Sequence, residues 1–131
     1  MASQTITGPD LQYTQDNKHC FAYSGNQTLA GGVFLKQLDF NTNSEYVLGA
    51  FTWGTDETSS TRDVYIKILF NEIIVFTSRW DTSNQYPIKA TPLPLVIPPF
   101  THVECYQKND GNTLGCFILT GKVGMPQRVR N

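Results

Sequence analysis

Along most of the chain, short runs of alternating apolar and polar residues are separated by polar turns. The clearest pair of runs is 63–70 and 73–79, whose apolar positions are arranged symmetrically about Asn71-Glu72. This symmetry predicts a β-hairpin with a two-residue turn, in which Ile68 lies opposite Val75. Glutamate is unfavourable at the second position of a type I′ turn, so a longer loop with a shifted register is the alternative.

The pattern continues through the rest of the chain. Alternation predicts strands over residues 19–24, 33–40 and 45–53, with an irregularity at Lys36-Gln37 in the second of them. Residues 93–100 are apolar but rich in proline. Because proline cannot donate a hydrogen bond to a neighbouring strand, this run predicts an edge strand or the entry to a strand.

A second hairpin is predicted where residues 101–107 and 114–123 flank the turn signal Asp110-Gly111. A two-residue turn there places Cys105 opposite Cys116, in a geometry that seldom suits a disulfide, so we expect free thiols. With about eight strands and no helical periodicity, the sequence predicts an all-β fold. The expected architecture is a two-sheet antiparallel sandwich of jelly-roll type.

Length and charge divide the chain into one domain and two arms. Its 131 residues suffice for a single core. We expect an extended N-terminal arm over residues 1–17, a β-sandwich domain over 18–123 and a basic C-terminal tail over 124–131. The arms are either frayed termini or segments that become ordered on a partner.

The composition narrows the classes of function. Charged residues make up only 16% of the chain and the net charge is −1, which argues against a nucleic-acid partner. No apolar run is long enough to cross a bilayer, so no membrane partner is expected. The N-terminus shows neither the basic nor the apolar region of a signal peptide, and we expect the chain to be made in the cytoplasm.

No arrangement of residues indicates catalysis. The two histidines, His19 and His102, lie on the opposite strand face from the nearest cysteines, and no metal, phosphate or nucleophile motif occurs. We therefore expect no enzyme activity, no cofactor, no metal and no small-molecule ligand. A calcium loop within residues 56–63 and sugar stacking on Trp53 and Trp80 are the weaker alternatives.

Both faces of the two predicted hairpins are apolar, whereas a sandwich buries only one face of each sheet. A second apolar face predicts contact between subunits. We expect this oligomer interface to consist of Tyr106, Phe117, Leu119, Leu69, Ile74 and Phe76.

Three segments carry a resemblance to a known class of proteins: Asp63–Asn71, Leu95–Glu104 and Leu119–Val123. In pattern they resemble the small jelly-roll structural proteins of tailed phages, particularly capsid decoration (cement) and minor capsid proteins. The resemblance implies a non-enzymatic homotrimer located in the virion. Such a protein binds the major capsid protein and stabilises the shell by bridging neighbouring capsid subunits.

In that role the two arms would lie on neighbouring shell subunits. We expect capsid contacts at Asp10, Tyr13, Arg128 and Arg130, with the arginines meeting acidic surface in a salt-sensitive attachment. Two alternatives are a carbohydrate-binding β-sandwich module on a virion fibre and a TNF-like trimeric ligand domain.

Overall fold

The computed structural model describes residues 11–55, 63–81, 92–110 and 113–124. These residues form ten β-strands in two antiparallel sheets and no helix, which confirms the all-β prediction. No helix in these ranges is therefore long and apolar enough to span a membrane. The strands are β1 (Gln12–Tyr13), β2 (His19–Tyr23), β3 (Gln27–Leu29), β4 (Leu35–Asn41), β5 (Tyr46–Thr55), β6 (Asp63–Phe70), β7 (Ile73–Asp81), β8 (Leu93–Ile97), β9 (His102–Asn109) and β10 (Thr113–Gly124).

The strands pair as they do in a jelly roll. The chain forms one long hairpin that pairs β6 with β7, β5 with β8, β4 with β9 and β2 with β10. This hairpin wraps into two layers, in which β10 also pairs with β5, and β9 with β6. Sheet A has the order β1-β2-β10-β5-β8, with β3 beside the start of β10, and sheet B has the order β4-β9-β6-β7. The predicted sandwich is thus present, and β1 and β3 are short additions to it.

The inward faces of the two sheets meet in one apolar core. From sheet A, the ring centroid of Phe117 lies 6.4 Å from that of Phe51 and 5.5 Å from that of Trp53. Sheet B contributes Ile66 and Ile68, which are fully buried. Burying a side chain of this size contributes roughly 1.5–3 kcal/mol, so these few residues supply a large part of the stability.

The hairpin of β6 and β7 closes with the two-residue turn that the sequence predicts. Asn71 and Glu72 have φ angles of 51° and 69°, and a type I′ turn requires positive φ at both positions. Asparagine tolerates this left-handed backbone, whereas glutamate is strained by it.

Replacing Glu72 with glycine should raise the free energy of unfolding by about 0.5–1 kcal/mol. Glycine removes a left-handed strain of roughly 1–2 kcal/mol, and its greater freedom in the unfolded chain cancels part of that gain. Glu72 is exposed. Urea denaturation of Glu72→Gly measures the effect, and Glu72→Ala is the control, because alanine keeps the strain. A midpoint of Glu72→Gly at or below that of the alanine variant would contradict the prediction.

A β-bulge shifts the register of this hairpin beyond the turn. The first pairs follow the prediction, but Ile68 lies opposite Phe76 instead of Val75. Phe76 therefore points into the sandwich, where its ring centroid lies 6.0 Å from that of Trp53.

The predicted hairpin about Asp110-Gly111 is wrong. β9 lies in sheet B between β4 and β6, whereas β10 lies in sheet A between β2 and β5. The chain crosses from one sheet to the other between these strands, so Cys105 and Cys116 belong to different sheets. All three cysteines are free thiols.

Part of the predicted N-terminal arm belongs to sheet A. β1 pairs with β2, which sets Tyr13 opposite Cys20. Leu11 and Tyr13 pack against the core, which is why this segment is folded onto the domain. Residues 14–17 form the turn between β1 and β2, in which the backbone N–H of Asn17 donates to the carbonyl of Thr14 at 2.9 Å. Residues 1–10 and 125–131 lie outside the described residues, and Gly124 ends β10.

Two finer predictions are confirmed. β8 is an edge strand of sheet A, and β4 has its irregularity between Lys36 and Leu38. The bulge turns Gln37 into the core, where its Nε2 donates a 2.9 Å hydrogen bond to the carbonyl of Gly115. Gln107 Nε2 donates likewise to the carbonyl of Gly54 at 3.3 Å. These buried amides tie sheet B to sheet A.

Candidate functional site

The outer face of sheet A carries an exposed apolar surface, called here the sheet A face. Its members alternate with core residues along β2, β5, β8 and β10, because successive strand residues point to opposite sides. They are Phe21, Tyr23, Leu48, Ala50, Val96 and Ile118.

Cross-strand pairing brings these side chains together. Ile118 lies opposite Tyr23, and Leu48 lies opposite Val96. The ring centroids of Phe21 and Tyr23 are 4.9 Å apart. A groove of about 490 Å³ runs over β2, β10 and β5 and is lined in part by these residues. The surface is therefore continuous across the middle of the sheet.

The sheet A face is exposed and almost uncharged. Tyr23, Leu48 and Val96 are 50%, 47% and 59% exposed. On the described strands of sheet A, no carboxylate points outward, and the basic side chains on this face are His19 and Lys122. A contiguous apolar surface on a sheet exterior is typical of a contact with another protein.

Three of the predicted interface residues are wrong because they lie inside the domain. Phe117 and Leu119 are fully buried in the core, and Phe76 points inward after the bulge. The outward placement of Phe117 and Leu119 depended on pairing Cys105 with Cys116, and the crossover between the sheets reverses the faces of β10. The outward placement of Phe76 depended on a hairpin register without the bulge.

The other three predicted interface residues share the outer face of sheet B. Leu69 of β6 lies between Glu104 of β9 and Ile74 of β7, and Tyr106 lies further along β9. Ile74 is exposed, whereas Leu69 and Tyr106 are half-buried. This face also carries ionised side chains such as Lys36 and Glu104, so it is less apolar than the interface that the sequence predicted.

Of the four predicted capsid contacts, the structure describes Tyr13 alone. Tyr13 is half-buried against the core, and burial raises its pKa above the usual value, as do the nearby Cys20 and Glu45. Tyr13 thus lies on the body of the domain and not on an extended arm. Asp10, Arg128 and Arg130 lie outside the described residues.

A cluster of ionised side chains lies at one end of the sheet B exterior. Lys36 Nζ is 2.9 Å from Asp39 Oδ2 and 3.2 Å from Glu104 Oε2. His102 Nε2 is 2.6 Å from Asp39 Oδ1, and the Tyr106 hydroxyl donates to Glu104 Oε2 at 3.2 Å. Because β4 and β9 pair here, residues far apart in sequence form one network.

This cluster could be mistaken for a metal site. Ligand atoms of Asp39, His102 and Glu104 lie within 4.8 Å of one another. The ammonium group of Lys36, however, already contacts both carboxylates, which raises the pKa of Lys36 through these hydrogen bonds. The carboxylates have their counter-charge, and the arrangement is that of a surface ion-pair network.

Stability should fall slightly in acid because of Asp39. Burial alone would raise the pKa of Asp39, but hydrogen bonds from Lys36 and His102 outweigh it and hold the pKa below its ordinary 3.8. A depressed carboxyl pKa stabilises the fold above that value, and the contribution is lost as the pH falls through the folded-state pKa. The side chain is 33% exposed, so screening keeps the effect below about 1 kcal/mol.

Urea denaturation of the wild type and Asp39→Asn from neutral to acidic pH measures this contribution. The stability difference should be largest near neutral pH and should close below about pH 4. A difference that stays constant over the range would contradict the assignment.

The thiols are chemically quiet. Burial raises the pKa of Cys20 to about 11 and raises the pKa values of Cys105 and Cys116 above their ordinary range. Because the thiolate is the reactive form, these cysteines are poor nucleophiles at neutral pH.

The weaker alternatives gain no support from the described residues. Trp53 is buried against Phe117 and Phe76, so its ring is not available to stack on a sugar. The side chain of Trp80 and the remaining acidic loop, residues 56–62, lie outside the described residues, as does the side chain of Asp63.

No known protein family and no curated protein matches the sequence. The fold and its exposed surfaces are therefore the features from which a function can be inferred.

Proposed function

We propose that this protein is a non-enzymatic structural protein of a virus particle, a decoration protein that binds the major capsid protein and stabilises the shell. It acts as a homotrimer and is located in the virion. The observation that carries the proposal is the sheet A face, an exposed apolar surface on a compact jelly roll. A protein of this kind needs a stable body and adhesive surfaces and no reactive group.

The sheet A face supplies the energy for subunit contact. Leu48, Val96 and Tyr23 are each about half exposed, so covering them contributes roughly 1 kcal/mol each, about half the value for full burial. Association also costs several kcal/mol in lost freedom, so only a surface with several such groups supports a lasting contact. The sheet A face meets this condition, and it replaces the interface predicted from the sequence.

Light scattering of two matched variants tests the subunit contact. Leu48→Lys places a charge in the sheet A face opposite Lys122, whereas Ile74→Lys places the same charge at an equally exposed apolar site on sheet B. We expect the wild type and Ile74→Lys to have the mass of a trimer and Leu48→Lys that of a monomer with an unchanged strand spectrum. A wild type that is monomeric at every concentration would overturn the proposed assembly.

Mass spectrometry of purified virus particles tests the place of the protein. The chain should be recovered from the particles in a fixed ratio to the major capsid protein. Its absence from particles made by cells that contain the protein would overturn the capsid role, even if the trimer were confirmed.

A further inference from the structure

The outer face of sheet B presents a checkerboard of aromatic rings and lysines. On its two central strands, Tyr65 of β6 lies opposite Lys108 of β9, and Lys67 of β6 lies opposite Tyr106 of β9. Rings and lysines therefore alternate both along each strand and across the strand pair, and the two lysines are diagonal neighbours. Phe34, which precedes β4, lies over the same area.

The ammonium groups of Lys67 and Lys108 contact the faces of aromatic rings. Lys67 Nζ is 4.3 Å from the ring centroid of Phe34 and 4.8 Å from that of Tyr106. Lys108 Nζ is 5.0 Å from the ring centroid of Phe34 and 4.4 Å from that of Tyr65. Two ammonium groups thus share one ring.

Within the part of the chain that the structure describes, no carboxylate forms an ion pair with either of these two like charges. Lys36 and His102 pair with carboxylates on the same face, whereas Lys67 and Lys108 contact rings. Repulsion within such a group falls when an anion binds between its members.

The same area has a concave surface. A groove of about 370 Å³ runs between Phe34 and Arg79 and is lined by Tyr65, Lys67 and Thr77. It is open at the sheet surface, so an extended chain can lie along it.

Cations interleaved with rings on the central strands suit one class of ligand best. Proteins that bind single strands use basic groups for the phosphates and aromatic side chains under the bases. An open four-stranded sheet with aromatic residues is one established form of such a surface. An acidic peptide would use the lysines and leave the rings without a role.

We propose that the outer face of sheet B binds single-stranded nucleic acid. Lys67 and Lys108 bind phosphates, and Phe34, Tyr65 and Tyr106 stack under bases. In the free protein each ammonium group covers a ring face by a weak cation–π contact. Transfer of the ammonium to a phosphate gives a stronger charge-assisted bond and uncovers the ring for a base. The net charge of −1 is a sum over the whole chain, so it gives no indication of this local group of positive charges. The proposal depends on sheet B alone and is independent of the capsid role.

Fluorescence anisotropy of labelled oligothymidylate and oligouridylate with the full chain tests the site. Binding should weaken with salt, with a slope of log affinity against log salt of about −1.4 for two phosphates on a single strand. Lys67→Gln and Lys108→Gln should each lower the affinity by roughly three- to tenfold and reduce the slope by about 0.7. Lys18→Gln removes the same charge from an exposed site near the start of β2 and should change neither value.

A second pair of variants separates stacking from charge. Tyr106→Leu removes the ring and should lower the affinity about tenfold, whereas Tyr106→Phe keeps the ring and should bind like the wild type. Polyglutamate is the competing polyanion, and we expect it to displace the oligonucleotides poorly. The ratio of the two oligonucleotide affinities tells whether the site prefers DNA or RNA.

Three results would overturn the proposal. The first is no binding by the wild type at low salt. The second is an equal loss for Lys18→Gln and Lys108→Gln, which would mean diffuse attraction. The third is effective displacement of the oligonucleotides by polyglutamate, which would assign the face to an acidic protein partner. This measurement uses only the wild-type protein, so it does not depend on whether a variant folds.

Discussion

Replacing Phe117 with aspartate should abolish cooperative folding. The side chain is fully buried, with aromatic neighbours Phe51 and Trp53. A carboxylate there would be unpaired and cut off from water, which costs more than the total stability of an ordinary domain. The expected result is loss of the strand spectrum in far-UV circular dichroism or recovery of the protein only as aggregate.

Phe117→Ala gives the same effect on a measurable scale. It should lower the free energy of unfolding by about 3–5 kcal/mol, through lost burial and the cavity left between the sheets. Urea denaturation measures this loss, and Ile74→Ala on the exposed outer face is the control, with an expected change below about 1 kcal/mol. A folded, monomeric Phe117→Asp protein would mean that this side of β10 faces a partner subunit.

Replacing Gly115 with alanine should cost about 1–3 kcal/mol. A Cβ atom at this position would lie 2.6 Å from Gln107 Oε1 and 2.8 Å from Leu29 Cδ1. Both neighbours are fully buried, so neither can move away without disturbing the contact between the sheets. Thermal or urea denaturation of Gly115→Ala measures the cost.

A double-mutant cycle identifies the cause of that cost. If Gln107 is the obstacle, Gln107→Ala makes room, and Gly115→Ala should cost at least about 0.5 kcal/mol less in that background. Val47→Ala is the control. Gly115 pairs with Thr55 at the end of β5, whereas Val47 lies near the start of that strand, so the effects of Val47→Ala and Gly115→Ala should add. Additive effects with Gln107→Ala would contradict the steric explanation.

Much of the strand pattern could be predicted because each strand buries one side. In β6, Val64, Ile66 and Ile68 alternate with outward residues, so the local sequence defines both the strand and its core face. The polar Lys36-Gln37 step interrupted such a pattern and correctly indicated the bulge in β4. These signals are local, and the short-range physics of alternation is enough to interpret them.

The partners of β10 could not be predicted in this way. A turn signal such as Asp110-Gly111 favours a reversal of the chain, but it does not state whether the next strand stays in the same sheet. The pairing of β10 with β2 and β5 joins residues about a hundred and about seventy positions apart, and no local pattern encodes it. The faces of Phe117 and Leu119 were inverted for this reason.

The sheet A face had a signal that was visible but misleading. In β2 the small residues Cys20 and Ala22 point inward, and the aromatic residues Phe21 and Tyr23 point outward. The alternation is plain, yet size alone suggests the opposite orientation. The space left in the core determines which side of β2 faces inward. On sheet A the large rings that fill the core come from β5 and β10, and β2 contributes its small residues.

The position of β10 has a consequence for synthesis of the protein on the ribosome. Sheet B is built from β4, β6, β7 and β9, all of which emerge before β10. Sheet A cannot close at that stage, because β10 is the strand that joins β2 and β3 to β5. The nascent chain therefore carries open strand edges until β10 appears, and the rings of Phe51 and Trp53 lack their contact with Phe117. In that interval we expect it to need protection by a chaperone against aggregation.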